Sequence, residues 1–431
     1  MVNAVVSWSL PFRKVALLGL GRTGRALVCS LSRFGLSLFL SETRRLSEEE
    51  RAFLSECGVA WEDGGHTERV LSAELIVPSP GVPPSLPVIQ QAQRRGIPIW
   101  SEIELAFRLA APSALIAITG TNGKSTTCEL IGAILRAAGK EPVVAGNIGR
   151  PAISTVDEAC GRPWVLEVSS YQLEWTESFR PQVAVWLNFA PDHLDHHGTL
   201  AHYFAAKAKL LACQGEGDTA ILPPELIARL SPCGKVVDYS QAELPPGWGE
   251  GVPGHLLSDL KAAWCAAQAV VPELTRAPPP YEQVLPALHQ PHRLELVGEF
   301  SGIPFINDSK ATNAHATAAA LRTIPAPIVL ILGGRHKKKG YEELKQLLTD
   351  KVRRCILIGE SQGFFSRLLS RWEIPYELAG DPLDALRRAY AQARTGDTVL
   401  LSPACASFDQ FDSFSHRGEA FRTAFRQLSL G

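Results

Sequence analysis

The chain has 431 residues, more than one ordinary hydrophobic core organises, so two or three domains are expected. Its 43 basic and 44 acidic residues leave a net charge of −1, which offers no pull toward nucleic acid or an anionic membrane. Nine cysteines without a C-x-x-C pair fit reduced thiols in a cytoplasm, and neither a signal peptide nor a membrane-spanning stretch is legible.

In chain order, a first block holds the apolar runs 15–21, 36–42 and 74–81, with a helix-like segment from Arg25 to Phe34. A second block opens with 114–120 and continues through 142–149, 163–170 and 182–189. A third contains 327–334, 354–360 and 397–404, each followed by an amphipathic stretch. Buried-type strands alternating with helices predict an α/β protein of parallel sheets with helices on their faces. Seams are expected near 100 and near 290, the second just past the proline-rich 276–281 segment.

Gly19-Leu20-Gly21-Arg22-Thr23-Gly24 follows the first strand and opens a helix, and Glu42 ends the next strand. This is a dinucleotide fingerprint: a tight turn, a diphosphate at a helix N-terminus, and an acid for a ribose. The same turn can hold the diphosphate of any nucleotide, with Ser79 and Gly81 completing the pocket. Glycines kept only for strand–helix packing are the plainer reading. A stronger signal is Gly120-Thr121-Asn122-Gly123-Lys124-Ser125-Thr126, again between an apolar strand and a helix. Ile118 stands where the usual phosphate loop has its first glycine, so this is a shortened variant. Its glycines let backbone N–H groups face phosphates, Lys124 neutralises their charge, and Ser125 or Thr126 reaches Mg2+. It predicts an ATP site.

Glu167 ends the next strong strand, where a Mg2+-binding acid belongs beside such a loop; Ser169 and Ser170 also read as a helix cap. The stretch from Asn188 to His197 is dense in hard oxygen ligands and imidazoles, which suits a metal, although its histidines can equally be solvated loop residues. In the helix predicted from His202 to Cys213, Tyr203, Lys207, Leu210 and Leu211 share one face and Lys209 points elsewhere. A lysine in an apolar stripe snorkels outward, meets a carboxylate, or is held inside as a neutral, nucleophilic amine able to capture CO2 as a carbamate. The residues alone leave these open.

Together these strings resemble the ATP-dependent muramyl ligases. The shared motifs are G-T-N-G-K-S-T, L-E-V-S-S-Y-Q-L-E, N-F-x-x-D-H-L-D and Y-x-A-A-K. His292 to Glu295, Asn307 to Asn313 and Leu401 to Phe411 narrow the likeness to the D-glutamate-adding branch, and only 214–255 is unmatched. The resemblance implies three domains: a Rossmann-like UDP-substrate domain (1–100), a central P-loop ATPase-like domain (101–290) and a Rossmann-like domain (291–431) that binds D-glutamate and closes on ATP. It implies addition of D-glutamate to UDP-N-acetylmuramoyl-L-alanine through an acyl phosphate, by a cytoplasmic monomer using ATP, two Mg2+ ions and a carbamate on Lys207. Ser125, Glu167, His193 and Lys207 then match the metal sites, with Lys124, Lys207, His193 and Glu167 as the catalytic set. Arg293 and Asp308 match contacts to ATP, alongside residues 120–126. Gly21, Thr23, Glu42, Thr43, Arg44, Ser79, Gly81, Asn147 and His193 match the UDP-substrate site. Lys310, Thr312, Lys337, Ser407, Phe408 and Phe414 match the D-glutamate pocket, and Lys338 competes with Lys337.

Two departures stand out. Where the family has G-x-H-N-x-x-N near the adenine, this chain has Gly254-His255-Leu256-Leu257-Ser258-Asp259-Leu260. The loop after the third block's first strand reads Gly333-Gly334-Arg335-His336-Lys337-Lys338-Lys339. Rival readings are another muramyl or folylpolyglutamate-type amide ligase, a nicotinamide-dependent oxidoreductase built on Gly19–Gly24, and a non-catalytic nucleotide-binding protein. The oxidoreductase leaves the 120–126 loop, Glu167 and Lys207 without purpose.

Overall fold

The structure is a computed structural model that describes residues 11–288, 291–336 and 340–430. Three sheets follow one another along the chain. The first comprises β1 (Lys14–Leu18), β2 (Ser37–Glu42), β3 (Ala60–Asp63) and β4 (Leu75–Pro78), all parallel in the order β3-β2-β1-β4. The second comprises β5 (Ala114–Thr119), β6 (Val143–Gly146), β7 (Pro163–Glu167), β8 (Val183–Trp186), β9 (Thr219–Leu222) and β10 (Lys235–Asp238). It too is parallel, in the order β10-β9-β8-β5-β7-β6. The third comprises β11 (Glu295–Phe300), β12 (Ile303–Asn307), β13 (Ile328–Gly333), β14 (Val352–Ile358), β15 (Tyr376–Leu378) and β16 (Thr398–Leu401), in the order β11-β12-β16-β13-β14-β15.

The all-parallel expectation needs one correction. β11 pairs antiparallel with β12. The reason is local: Ser301 and Gly302 both take positive φ, 53° and 73°, as a two-residue hairpin turn requires. Elsewhere the sequence logic holds. β5 and β13 are apolar along their length and almost wholly buried, as central strands covered on both faces must be. The helix Arg22–Leu31 buries Gly24, Leu27, Val28 and Leu31. Gly24 has no alternative there, because a Cβ would sit 2.0 Å from the Gly19 carbonyl oxygen.

The chain divides into two compact units. One contains the first two sheets with 201–250 and 258–284; the other contains the third sheet with 190–200 and 251–257. In the second sheet, the chain leaves β5 for β6 and β7 on one side and then crosses to β8 on the other. The crevice outside the C-terminal ends of β5, β7 and β8 is therefore a switch point, where open α/β sheets bind ligands.

Candidate active site

β5 runs into Gly120–Gly123, and the helix Lys124–Ala137 begins at once. Gly123 has φ 86°, and a Cβ on it would lie 2.2 Å from Asp259 Oδ1, so only glycine fits. One side chain from the end of β8 shapes the loop. Asn188 Oδ1 accepts from the Thr121 N–H at 3.0 Å and the Asn122 N–H at 2.9 Å, and its Nδ2 donates to the Asn122 carbonyl at 3.1 Å. The loop runs straight into the N-terminus of the Lys124 helix, the end of a helix that faces anions.

Two lysines meet beneath this loop. Lys124 Nζ donates to the carbonyls of Gly120 and Thr121, each at 2.8 Å. Lys207, 1% exposed in the helix Leu200–Ala212, donates from Nζ to the same Gly120 carbonyl at 2.9 Å and to Thr119 Oγ1 at 3.3 Å. Its Nζ also lies 4.9 Å from the centre of the Tyr203 ring. Tyr203, Lys207, Leu210 and Leu211 are all buried on one face, while Lys209 Nζ reaches the Glu174 carbonyl. Lys207 is therefore buried rather than reaching outward to solvent.

Glu167 ends β7 and is buried. Its Oε1 accepts from Asn147 Nδ2 at 2.7 Å, whereas Oε2 is shut off from solvent and has no hydrogen-bond partner among the described residues. A buried carboxylate oxygen left unpaired is costly, and a hard cation is the kind of group that satisfies it. Residues at this position and in the phosphate loop therefore fit Mg2+. Asn147 is placed by its own N–H on the Glu167 carbonyl at 2.9 Å, and its carbonyl accepts from Arg22 Nη2 at 3.2 Å. The first sheet's glycine turn is thus tied to the carboxylate at the end of β7.

In that glycine turn, the Glu42 carboxylate is a structural centre. Oε2 accepts from the Leu20 N–H at 2.8 Å, and Oε1 accepts from the N–H groups of Thr43 and Arg44 and from the Thr43 hydroxyl. Burial pushes this carboxyl up, but the four hydrogen bonds together outweigh it and hold it below its ordinary value. Arg44 grips Glu50 through both Nη atoms at 2.7 Å, and Arg25 joins from 3.0 Å; Glu50 falls to about 2, chiefly through Arg44. Ser79 Oγ donates to the Gly19 carbonyl at 3.2 Å, while Gly21 and Gly81 leave open space where a side chain would be. Thr23 is half-buried.

The second unit gathers the other predicted residues. His193 has left-handed φ 51° before the short helix Leu194–His197, with its N–H on Asp192 Oδ1 at 2.8 Å. Asp192 Oδ2 also accepts from Asn313 Nδ2 at 3.2 Å. Arg293 is framed by His292 and Leu294, both at positive φ. Asp308 accepts from the Ser402 hydroxyl at 2.7 Å and the Leu294 N–H at 3.3 Å; burial pushes its carboxyl up to about 7, against the pull of Ser402 and Arg293. Lys310 Nζ lies 6.0 Å from the Phe414 ring centre, and Thr312 N–H donates to the Lys310 carbonyl. Ser407 is buried and Phe408 is 63% exposed. Lys337 and Lys338 lie outside the described residues. Asn188, Arg22, Ser402 and Arg417 were assigned no role from sequence. Asn188, Arg22 and Ser402 carried a signal, since they lie within the N-F-x-x-D-H-L-D string, the Gly19–Gly24 turn and the Leu401 to Phe411 stretch.

Known proteins bear directly on this geometry. Residues 14–88 match the MurD N-terminal domain, 118–243 the Mur ligase middle domain, and 292–405 the Mur ligase, glutamate ligase domain. The UDP-N-acetylmuramoylalanine–D-glutamate ligases of Koribacter versatilis and Pelotomaculum thermopropionicum are each 37% identical to this chain, over 97% of it and 98% of their own length. That of Shouchella clausii is 36% identical over 95% of this chain and 96% of its own. Among solved structures, the MurF ligase of Thermotoga maritima in complex with ADP aligns with TM-score 0.56 at 16% identity, covering 91% of this chain and 96% of that one. The UDP-N-acetylmuramate–alanine ligase of the same organism aligns with TM-score 0.54 at 17% identity, over 96% and 99%. These structures share the fold. Among the described residues, no helix is long and apolar enough to cross a membrane.

Proposed function

This chain belongs to the UDP-N-acetylmuramoylalanine–D-glutamate ligase family of the Mur ligases, and on that premise we propose the following chemistry for its residues. The alanyl carboxylate of UDP-N-acetylmuramoyl-L-alanine attacks the γ-phosphorus of ATP, giving an acyl phosphate and ADP. The amine of D-glutamate then attacks the acyl carbon, and the tetrahedral adduct collapses with loss of phosphate. Condensing a carboxylate with an amine in water is uphill, and ATP hydrolysis is coupled to it through that phosphate.

Gly120 to Thr126 cradle the phosphates, and Lys124 moves from its own loop carbonyls to the charge that develops on the transferring group. Ser125, Glu167, His193 and Lys207 would be the side chains that hold Mg2+ when it is bound. When bound, the two ions neutralise phosphate charge and polarise the phosphorus for attack. Lys207 acts as a carbamate, formed when its amine adds to CO2 and loses a proton. The observation that carries this reading is the convergence of Lys124 and Lys207 on one carbonyl oxygen. Two ammonium groups so placed repel each other, and conversion of one into an anionic oxygen ligand removes the conflict. Neither a nicotinamide site nor a plain nucleotide sensor needs such a pair.

Gly21, Thr23, Thr43, Arg44, Ser79, Gly81 and Asn147 bind the UDP-linked substrate, with Glu42 setting the shape of the turn. Arg293 and Asp308 are assigned to contacts with ATP. Lys310, Thr312, Ser407, Phe408 and Phe414, with Lys337, receive D-glutamate. We place the enzyme in the cytoplasm as a monomer.

The test is phosphate release from ATP, Mg2+ and UDP-N-acetylmuramoyl-L-alanine with D-glutamate, L-glutamate, L-lysine or nothing added. Release only with D-glutamate, and a product heavier by one glutamyl residue, is the expected result. Release with another amino acid overturns the substrate assignment.

A further inference from the structure

The loop after β3, Gly64 to Thr67, carries a hydrogen-bonded chain that the proposed reaction does not use. Ser41, buried on β2, touches two groups with one hydroxyl: Glu62 Oε1 at 2.7 Å and His66 Nδ1 at 2.7 Å. Glu62, buried on β3, also accepts from the Thr67 N–H at 2.9 Å and from the Thr67 hydroxyl at 2.5 Å. Burial pushes the Glu62 carboxyl up, but the bonds from Thr67 and Ser41 outweigh it and hold it below its ordinary value. Glu62 is therefore a carboxylate with no proton to give, and the single Ser41 proton goes to it. The contact between Ser41 and His66 then has one donor left, the Nδ1–H of the imidazole. The neutral ring is fixed as the Nδ1–H tautomer, and a further proton enters at Nε2 without breaking this chain.

The same loop is fastened to the segment after β2. The Gly65 N–H donates to the Glu42 carbonyl at 3.2 Å, and the Gly64 N–H to the Arg44 carbonyl at 3.3 Å. Burial pulls the His66 imidazole below its ordinary value, against the pull of Glu62 on β3 and Glu42 on β2. Arg44 and Arg45, between the two strands, are engaged by Glu50 and Asp63. Arg69, in the helical turn Glu68–Ser72, lies over the Phe39 ring at 4.5 Å. The ring is thus one proton short of a cation beside the Glu42–Arg44 segment.

We propose that His66 is a positioning residue of the UDP-substrate site: it ties the loop after β3 to the Glu42–Arg44 segment and takes up a proton from solvent at Nε2 when a diphosphate binds there. The inference rests on the assignment of that segment to the UDP-linked substrate and adds a pH-dependent charge to it. A nearby anion favours the imidazolium, and by reciprocity the imidazolium favours the anion, so affinity rises as pH falls.

The experiment compares wild type with H66N by phosphate release at pH 8 and pH 5.5. Asparagine can donate to Ser41 from Nδ2 as the ring does from Nδ1, but it cannot gain a proton. The KM for UDP-N-acetylmuramoyl-L-alanine at pH 8, divided by that at pH 5.5, is expected to be about threefold larger in wild type than in H66N. The same ratio for ATP should match in the two proteins. Equal ratios for the UDP substrate, or a difference shared by ATP, overturn the proposal. Should H66N fail to fold, the nitrogen resonances of His66 in wild type decide. Nδ1 should carry the proton at pH 8, and the titration midpoint should move up by about half a pH unit when the UDP substrate binds. A proton on Nε2 instead of Nδ1 at pH 8, or a midpoint that does not move, overturns it. Wild-type protein that does not use the UDP-linked substrate at either pH sinks the functional reading and this inference with it. Use of that substrate with no difference between wild type and H66N sinks this inference alone.

Discussion

The two glycine loops of the first unit share an architecture and differ in what fills them. Each follows a parallel strand and opens a helix, and each contains a glycine whose Cβ would strike a neighbour at about 2 Å, Gly24 against Gly19 and Gly123 against Asp259. In the first, an anionic side chain, Glu42, accepts the Leu20 amide. In the second, a neutral amide, Asn188, accepts the Thr121 and Asn122 amides, and two lysines meet on one carbonyl beneath. A carboxylate beside the first turn tempers its attraction for phosphate, and guanidinium groups of Arg22, Arg25 and Arg44 stand around it instead. The lysine-filled loop suits a triphosphate undergoing transfer. The fold supplies both cradles; the charges packed against them decide which one does chemistry.

Variants that alter these fillings break or sharpen the contrast. The largest effect is expected from Lys124→Ala, which should lower turnover about a thousandfold or more by removing a charge that acts on the transferring phosphoryl group. Single-turnover phosphate release measures it, and activity near wild type would contradict the role. Lys207→Ala should lose a similar amount, and added short carboxylates should restore part of it by standing in for the carbamate. A loss that no carboxylate rescues would leave Lys207 as a packing residue.

The next pair tests the comparison itself. Asn188→Leu strips the phosphate loop of three hydrogen bonds and should raise the KM for ATP about tenfold, leaving that for the UDP substrate nearly unchanged. Glu42→Leu should do the reverse. Identical shifts in the two variants would mean that the loops do not work as separate cradles.

The smallest effect concerns a buried acid that belongs to neither loop. Burial pushes Glu102 up to about 7 from an ordinary 4.5, against the Ile153 N–H that it accepts at 2.6 Å. Between those values the folded chain holds a proton that the unfolded chain has released, so stability falls as pH rises through that window and levels off above it. Glu102→Gln removes this dependence. Its melting temperature relative to wild type should climb by a few degrees between pH 4.5 and pH 8. A constant difference would show that Glu102 does not carry the proton.

Much of this was legible in the sequence because central strands announce themselves. β5 and β13 are uninterrupted apolar runs, and the loops that follow them have few glycine-containing alternatives. Short edge strands were silent: β3 reads Ala-Trp-Glu-Asp and β15 only Tyr-Glu-Leu, with charges that suit an exposed edge and mask the period. The β11–β12 hairpin did leave a trace in Ser301-Gly302, a two-residue turn signal between strand-like runs. Side-chain partnerships were less accessible. Lys207 was visible as an anomaly in an apolar stripe, but nothing in its own helix names the Gly120 carbonyl 87 positions away. Asn188 meets Asn122 across 66 positions, and a buried Arg417 looks the same in sequence as one that reaches solvent.

The central claim is that the first unit activates the alanyl carboxylate as an acyl phosphate before the amine arrives. The most direct test labels both oxygens of that carboxylate with the heavy isotope and analyses the phosphate released during D-glutamate addition. The account predicts one labelled oxygen in each phosphate, carried over when the acyl–oxygen bond breaks. Phosphate free of label, formed alongside the glutamyl product, would contradict it.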